Sequence, residues 1–247
     1  MESEKKKKVI KKYLFIAFLL IAISVSILLM VKYNVEGEKN LPIELNEIVI
    51  RSTIYAQSNN AENILESSVE QDNDIFITFK NNDKVDSKVD SIRIENMKIE
   101  KKNELGTIKV LKPTSNEKLN YFQNSSEDYS GKALEYFANT FDNLERQEFA
   151  QENGTIAFRI SNQNLGTYVL TEDGVRYNEN LLEQLGTSSE EIKLNVSFDI
   201  VLVVSEREKY KGAVSIELPA ESFGENGIVT KSITDFSGIV FKREDGR

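Results

Sequence analysis

Residues 194–204 read LNVSFDIVLVV and form the clearest periodic stretch of the chain. Apolar residues fill the even positions, while the odd positions before Val201 are polar. A period of two is typical of a β-strand with one buried face. From Val201 onwards both faces are apolar, which predicts that this end is covered on both sides. Asp199 is the one acid within the strand, and the alternation predicts that it lies on the solvated face, opposite Phe198.

Similar stretches occur on both sides of this strand and are separated by short polar turns. They predict strands at Glu47–Tyr55, Asp74–Lys80, Val89–Ile94, Thr107–Leu111, Gly154–Ile160, Gly166–Thr171, Lys209–Leu218 and Gly238–Lys242. About nine strands with short connections favour a mainly β fold, and an antiparallel β-sandwich is the arrangement that buries one face of each.

Two segments of the β-rich part depart from this period. Lys132–Phe149 has apolar residues at helical spacing and is predicted to be an amphipathic helix packed on the sandwich. Those apolar residues are Leu134, Phe137, Phe141 and Leu144. Asn180–Leu185, followed by Gly186, is predicted to be a further helical turn. We therefore expect one or two packed helices beside the sheets.

An apolar run near the N-terminus decides where the β-rich part is placed. Its residues are Leu14, Phe15, Ile16, Ala17, Phe18, Leu19, Leu20, Ile21, Ala22, Ile23, Ser24, Val25, Ser26, Ile27, Leu28, Leu29, Met30 and Val31. An α-helix of this length rises about 27 Å, close to the ~30 Å hydrocarbon thickness of a bilayer. Tyr13 and Tyr33 flank the run, where amphipathic rings favour the membrane interface. The run is predicted to be a transmembrane helix.

The charges around this helix predict its orientation. Lys5, Lys6, Lys7, Lys8, Lys11 and Lys12 precede the apolar run, while Glu36 and Glu38 follow it beside Lys32 and Lys39. By the positive-inside rule the N-terminus is cytoplasmic and the β-rich part is extracytoplasmic. The predicted organisation is a basic cytoplasmic tail at 1–12, a transmembrane helix at 13–33, a juxtamembrane linker at 34–44 and a β-rich domain at 45–247. The polar stretch 112–130 is where this domain would divide into two.

Cleavage as a signal peptide is the alternative to a retained anchor. Ser24 and Ser26 have the small side chains and the spacing that a signal peptidase prefers. However, Ile27–Val31 continues the apolar run where a cleavage region should become polar. We therefore expect a single-pass cell-membrane protein, with cleavage near Ser26 as the open alternative.

Composition excludes several classes of function. The chain has no His and no Cys, so thiolate nucleophiles, disulfides, Ser-His-Asp triads and His-based zinc sites are ruled out. The net charge is −9, and two Glu against six Lys in the first 31 residues leave −13 for the rest. An acidic body of this kind predicts no nucleic-acid binding, because phosphate contacts need clustered cations.

The remaining candidates for chemistry are weak. Ser115–Lys118 matches S-x-x-K but lacks the companion motifs of penicillin-recognising enzymes. Gln71–Asp74 offers oxygen ligands but lacks the Gly and distal Glu of a calcium loop, so we predict a solvated turn there. No catalytic, metal or cofactor-binding residue is predicted. A pair of acids acting on a glycan remains an alternative that sequence alone does not locate.

Four stretches carry a family resemblance: KYNVEGEKNLP (32–42), GTIAFRISNQNLGTYVL (154–170), VSFDIVLVVSEREKYKGAVSIELPAESFGENG (196–227) and IVFKR (239–243). They resemble a family of uncharacterised single-pass membrane proteins of clostridia and related Gram-positive bacteria. The resemblance covers most of the chain and implies a cell-envelope protein, but it implies no activity and no site residues.

Together these observations predict an extracytoplasmic β-sandwich that binds or scaffolds in the bacterial envelope rather than an enzyme. The expected partners are the lipid bilayer and a membrane or envelope protein. Two alternatives stay open: a carboxylate-based cell-envelope glycan hydrolase, and an accessory subunit of a membrane transport or secretion complex.

Overall fold

The computed structural model describes residues 2–58, 66–112, 128–138, 148–149, 154–169, 181–205, 208–221, 223 and 226–244. Its elements are α1 (Glu2–Glu36), β1 (Ile43–Ser58), β2 (Glu66–Asn81), β3 (Val89–Lys101), β4 (Thr107–Leu111), β5 (Leu134–Ala138), β6 (Glu148–Phe149), β7 (Thr155–Val169), α2 (Leu181–Gln184), β8 (Leu194–Val204), β9 (Glu208–Glu217), β10 (Ile228–Ile233) and β11 (Lys242–Arg243). This confirms a mainly β fold with an apolar N-terminal helix.

The strands form two sheets that pack as a sandwich. Sheet one has the order β10-β1-β2-β7-β4, and sheet two has the order β11-β9-β8-β3-β5-β6. Neighbouring strands are antiparallel, except that β5 and β6 are parallel. The apolar inner faces meet in one large core, where the Phe158 and Phe198 rings pack edge to face with centroids 5.6 Å apart. Opposed sheets of this kind bury the face that alternation makes apolar.

Strand β8 has the predicted bounds and the predicted faces. Its even positions are buried in the core, and Val201 on the other face is buried as well. Asp199 lies on the outer face as predicted, but it is only partly solvated. Lys211 Nζ lies 3.3 Å from one Asp199 oxygen, and the Asn96 amide donates to the same oxygen over 2.7 Å.

Strands β1, β2 and β7 are longer than predicted. The expected solvated turn at Gln71–Asp74 is wrong, because these residues lie inside β2 and are buried. The two strands predicted at Gly154–Ile160 and Gly166–Thr171 are one strand over the described residues. Val69 pairs with Gly166 and Gln71 with Asn162, so the predicted turn residues form a bulge, with Asn164 in the left-handed region at φ 60°.

The helix predicted at Lys132–Phe149 is wrong where the structure describes it. Leu134–Ala138 is strand β5, paired with β3, and Glu148–Phe149 is strand β6. Leu134 and Tyr136 point into the core with period two, while Phe137 lies on the other face and completes the helical spacing by coincidence. Residues 139–147 lie outside the described part.

Three further elements are α2, β10 and β11. The helical turn predicted at Asn180–Leu185 is confirmed as α2, Leu181–Gln184. The strand predicted at Gly238–Lys242 is mostly wrong, since only Lys242–Arg243 pairs with β9. Strand β10, at Ile228–Ile233, was not predicted because three of its central residues are polar and exposed at the sheet edge.

Candidate functional site

The end of α1 is bound directly to the C-terminal part of the sandwich. The Gly37 amide donates to the Tyr33 carbonyl and closes the helix, with 2.8 Å between the atoms. The Glu38 amide donates to the Phe241 carbonyl over 2.8 Å, and the Arg243 amide donates to the Tyr33 hydroxyl over 2.8 Å. We call this contact between residues 33–38 and 240–243 the junction.

Gly37 is at the centre of the junction. Its φ of 69° lies in the left-handed region, as is common just after a helix. A Cβ at this position would lie 2.4 Å from the Phe241 carbonyl oxygen and 2.6 Å from Val240 Cγ1. Any other residue would therefore push the C-terminal segment away. The glycine is visible in the sequence as a helix stop, whereas its partner Phe241, 204 residues further along the chain, is not.

Both sides of the junction are also anchored to the sandwich. The Phe241 ring packs where Gly212 has no side chain, since a Cβ there would be 3.0 Å from the ring. Lys242 and Arg243 pair with Lys211 and Tyr210 of β9. On the other side, Leu41 is buried and its carbonyl accepts a hydrogen bond from the Asn82 amide group over 3.0 Å. The segment between α1 and β1 is therefore held against the fold.

A row of acids is buried on the outer face of sheet one. Glu70, Asp72 and Asp74 occupy alternate positions of β2 and are only 8%, 5% and 8% exposed. Arg159 on β7 contacts two of them: its Nε donates to Asp74 over 2.5 Å, and its Nη1 lies 2.7 Å from Asp72. The Tyr55 hydroxyl on β1 lies 3.0 Å from Asp72 and 3.2 Å from Glu70. We call Glu70, Asp72 and Asp74 the acidic row.

Burial dominates the electrostatics of this row. It raises the pKa of Glu70, with the Tyr55 hydrogen bond acting in the opposite direction. Burial also raises the pKa of Asp74, although the bond to Arg159 favours the charged form. Loss of solvent, followed by the nearby Asp72 charge, raises the pKa of Tyr55, which keeps the hydroxyl protonated.

The geometry of the acidic row favours a structural role. A glycan hydrolase needs two carboxyls that face each other across a cleft and remain free for the sugar. Here Asp72 and Asp74 are bound to Arg159, and Tyr55 lies between Glu70 and Asp72. Among the described residues, no group of three or more His, Cys, Asp or Glu side chains is arranged to hold a metal ion.

A second polar group lies on the inner face of sheet one, between two apolar clusters. The Ser52 hydroxyl donates to Asn73 Oδ1 over 2.5 Å, and the Asn73 amide donates to the Ile160 carbonyl over 3.2 Å. Gln71 Oε1 and Asn162 Oδ1 are buried beside them without a hydrogen-bond partner among the described residues. We call Ser52, Gln71, Asn73 and Asn162 the inner polar band.

The sequence located part of these sites. Every residue of the predicted span Leu14–Val31 lies in α1 and is exposed. The acidic row was missed because the register of β1, β2 and β7 is what brings Tyr55 and Arg159 to it. The S-x-x-K stretch Ser115–Lys118 falls outside the described residues.

Comparisons with protein-family models, with curated proteins and with solved structures gave no match for this chain.

Proposed function

We propose that this chain is a single-pass membrane protein whose N-terminus is cytoplasmic and whose β-sandwich lies on the extracytoplasmic side. There it binds or scaffolds a component of the bacterial envelope. The observation that carries the proposal is an exposed apolar helix whose end is fixed to the sandwich at the junction.

The exposed apolar surface of α1 is unfavourable in water and requires an apolar environment. Lys11–Glu36 is long and apolar enough to cross a membrane, and its most apolar window is not buried by any described part of the chain. Among the described residues, the exposed large hydrophobic side chains all lie between Tyr13 and Val35. A continuous apolar surface of this kind leads to association in water, whereas lipid tails solvate it.

The junction supports a scaffolding role in which the sandwich is fixed relative to α1, rather than one in which a flexible linker joins them. Two hydrogen bonds and the close packing of Gly37 connect the helix end to residues 240–243. β1 and β2 each have 16 residues, which corresponds to a length of about 50 Å. A domain mounted in this way presents its far end at a fixed height above the membrane, which suits a positioning role.

Cysteine accessibility tests the topology, because the chain has no natural Cys. Lys231→Cys lies on an exposed position of β10, and Lys6→Cys lies in the basic tail. We expect a membrane-impermeant maleimide to label Lys231→Cys in intact protoplasts and Lys6→Cys only after lysis. The reverse pattern, or recovery of the chain in the soluble fraction, would refute the proposal.

A partner is tested by crosslinking in the membrane before solubilisation. We expect a specific protein or wall polymer to copurify with the wild-type chain. If the maleimide labels the chain as expected but no partner copurifies after crosslinking, the topology is supported and the scaffolding role is refuted.

A further inference from the structure

A cavity of about 400 Å³ lies on the outer face of sheet two, beside β11. Its lining includes Asp199, Lys211, Val240, Lys242, Arg243 and Glu244. The volume is within the usual range of small-molecule sites, roughly 300–1,000 Å³.

The cavity adjoins the end of the membrane helix. Two of its lining residues belong to the junction: Val240 packs against Gly37, and the Arg243 amide is bonded to the Tyr33 hydroxyl. Tyr33 follows directly after the apolar run and Lys32. With the run centred in the bilayer, this position lies in the headgroup layer, which is about 5–8 Å thick on each side.

The charges of the cavity suit a phosphate group. Three cations and two carboxylates line it. Lys211 lies 3.3 Å from Asp199 and 3.5 Å from Glu244, and Arg243 lies 2.8 Å from Glu208. Lys242 forms no ion pair with any described residue and lines the cavity beside them. One ammonium group is thus available to an incoming anion.

The second cation remains charged in this setting. Burial lowers the pKa of Lys211, but the hydrogen bonds and charges of Asp199 and Glu244 together outweigh it, so that the pKa is raised overall. Asp199 and Glu244 add oxygen acceptors at the same cavity. Hydroxyl or amine groups on a headgroup could donate to these oxygens while the phosphate meets Lys242.

We propose that this cavity binds the headgroup of a glycerophospholipid from the leaflet around α1, with the phosphate at Lys242. An anionic headgroup is preferred, because Lys242 is the lining cation that forms no ion pair with any described residue. This inference rests on the membrane insertion in the proposed function. Lipid binding there would fix the rotation of the sandwich against the membrane surface, since the site and the junction share residues 240–243.

Photolabelling of the reconstituted full chain tests the site. The chain is placed in phosphatidylcholine nanodiscs that contain a minor fraction of phosphatidylglycerol with a photoactivatable headgroup, and the adducts are mapped by mass spectrometry. We expect adducts on the cavity residues. Lys242→Ala should reduce them about fivefold, which is the effect of ~1 kcal/mol for one lysine at an anionic surface. Lys242→Arg should retain them.

The control is Lys231→Ala, which removes an exposed lysine of β10 that does not line the cavity and donates instead to the Glu217 carbonyl; it should leave labelling unchanged. Equal melting temperatures of the variants establish that they are folded. Labelling that is uniform along α1, or insensitive to Lys242→Ala, overturns the lipid site alone. Competition by soluble glycerol phosphate at the same concentration overturns lipid as the source of the phosphate. Failure of the chain to enter nanodiscs overturns the proposed function instead.

Discussion

Arg159 and Asp74 form a two-pronged ion pair between β7 and β2. Nε lies 2.5 Å from Oδ1 and Nη2 lies 3.0 Å from Oδ2. Their side chains are only 22% and 12% exposed. The third guanidinium nitrogen contacts Asp72 over 2.7 Å, so one cation serves two buried carboxylates. The outer face of sheet one therefore depends on Arg159.

Arg159→Met should reduce the free energy of unfolding by about 3 kcal/mol or more, because it removes the ion-pair partner of two buried carboxylates. The loss should be smaller at acidic pH, because burial raises the pKa of Asp74 and this carboxylate is then more readily neutralised by protonation. Denaturant unfolding of the full chain in detergent, followed by tyrosine fluorescence, measures both effects.

Arg243→Met is the matched control for stability. Its ion pair with Glu208 is 57% exposed on the arginine side, and such pairs contribute about 0.5 kcal/mol. Equal losses in the two variants would mean that burial of Arg159 has no energetic consequence.

Glu70 should make folding less stable as the pH rises. Its pKa is raised in the folded state, chiefly by burial, so the folded chain binds its proton more tightly than the unfolded chain. The penalty is absent below the unfolded value near 4.5 and grows as the pH rises through the folded pKa. Glu70→Gln should therefore raise the melting temperature at pH 7 relative to wild type, and the difference should vanish near pH 4.

Glu191 provides a control of opposite sign. Hydrogen bonds from the Ser188 amide and hydroxyl lower its pKa, so its contribution is present above about pH 4.5 and is lost as the pH falls. Glu191→Gln should lower the melting temperature at pH 7. If both variants shift the melting temperature in the same direction, burial does not raise the pKa of Glu70.

The sequence predicted those elements whose local pattern agrees with their burial. Strands β8 (Leu194–Val204) and β4 (Thr107–Leu111) have the predicted bounds. α2 followed from its closing Gly186. In each case the local pattern and the tertiary environment favour the same structure.

The polar parts of long strands were not predictable in the same way. Asp72 and Asp74 indicate a turn when read alone, because charged side chains are rarely buried without partners. Their partner Arg159 is supplied by strand register across 85 residues, which no local pattern encodes. The junction was missed for the same reason: Gly37 and Phe241 meet only once the sandwich has formed.

Asn73 and Gln71 of the inner polar band should respond differently to apolar replacement. Asn73→Leu deprives the Ser52 hydroxyl and the Ile160 carbonyl of their partner and should cost about 2 kcal/mol. Gln71→Met removes an oxygen that has no partner among the described residues. The hydrogen bond of this side chain that it removes is a weak one of 3.5 Å, from the Gln71 amide to Asn73 Oδ1. It should change stability by less than ~1 kcal/mol. Equal losses in denaturant unfolding would show that the Gln71 oxygen is bonded.

Gly37→Ala should loosen the junction without removing α1 from the membrane. The alanine Cβ would collide with the Phe241 carbonyl and Val240 in addition to the strain of a positive φ, which costs about 1–2 kcal/mol. Gly131→Ala is the matched control, because its φ of 74° imposes the same strain and its Cβ meets nothing within 4 Å.

Spin labels attached at Lys32→Cys and Ser215→Cys report the angle between helix and sandwich, and no natural Cys competes for the label. We expect a narrow distance distribution in the otherwise unaltered chain and in Gly131→Ala, and a broad one in Gly37→Ala. The reason is geometric: once Phe241 is displaced, its carbonyl no longer reaches the Glu38 amide, and residues 37–40, which lie between α1 and the buried Leu41, are free to rotate. A broad distribution in all three chains would mean that the sandwich is flexibly linked to α1 rather than held at a fixed angle, which removes the basis for a positioning role.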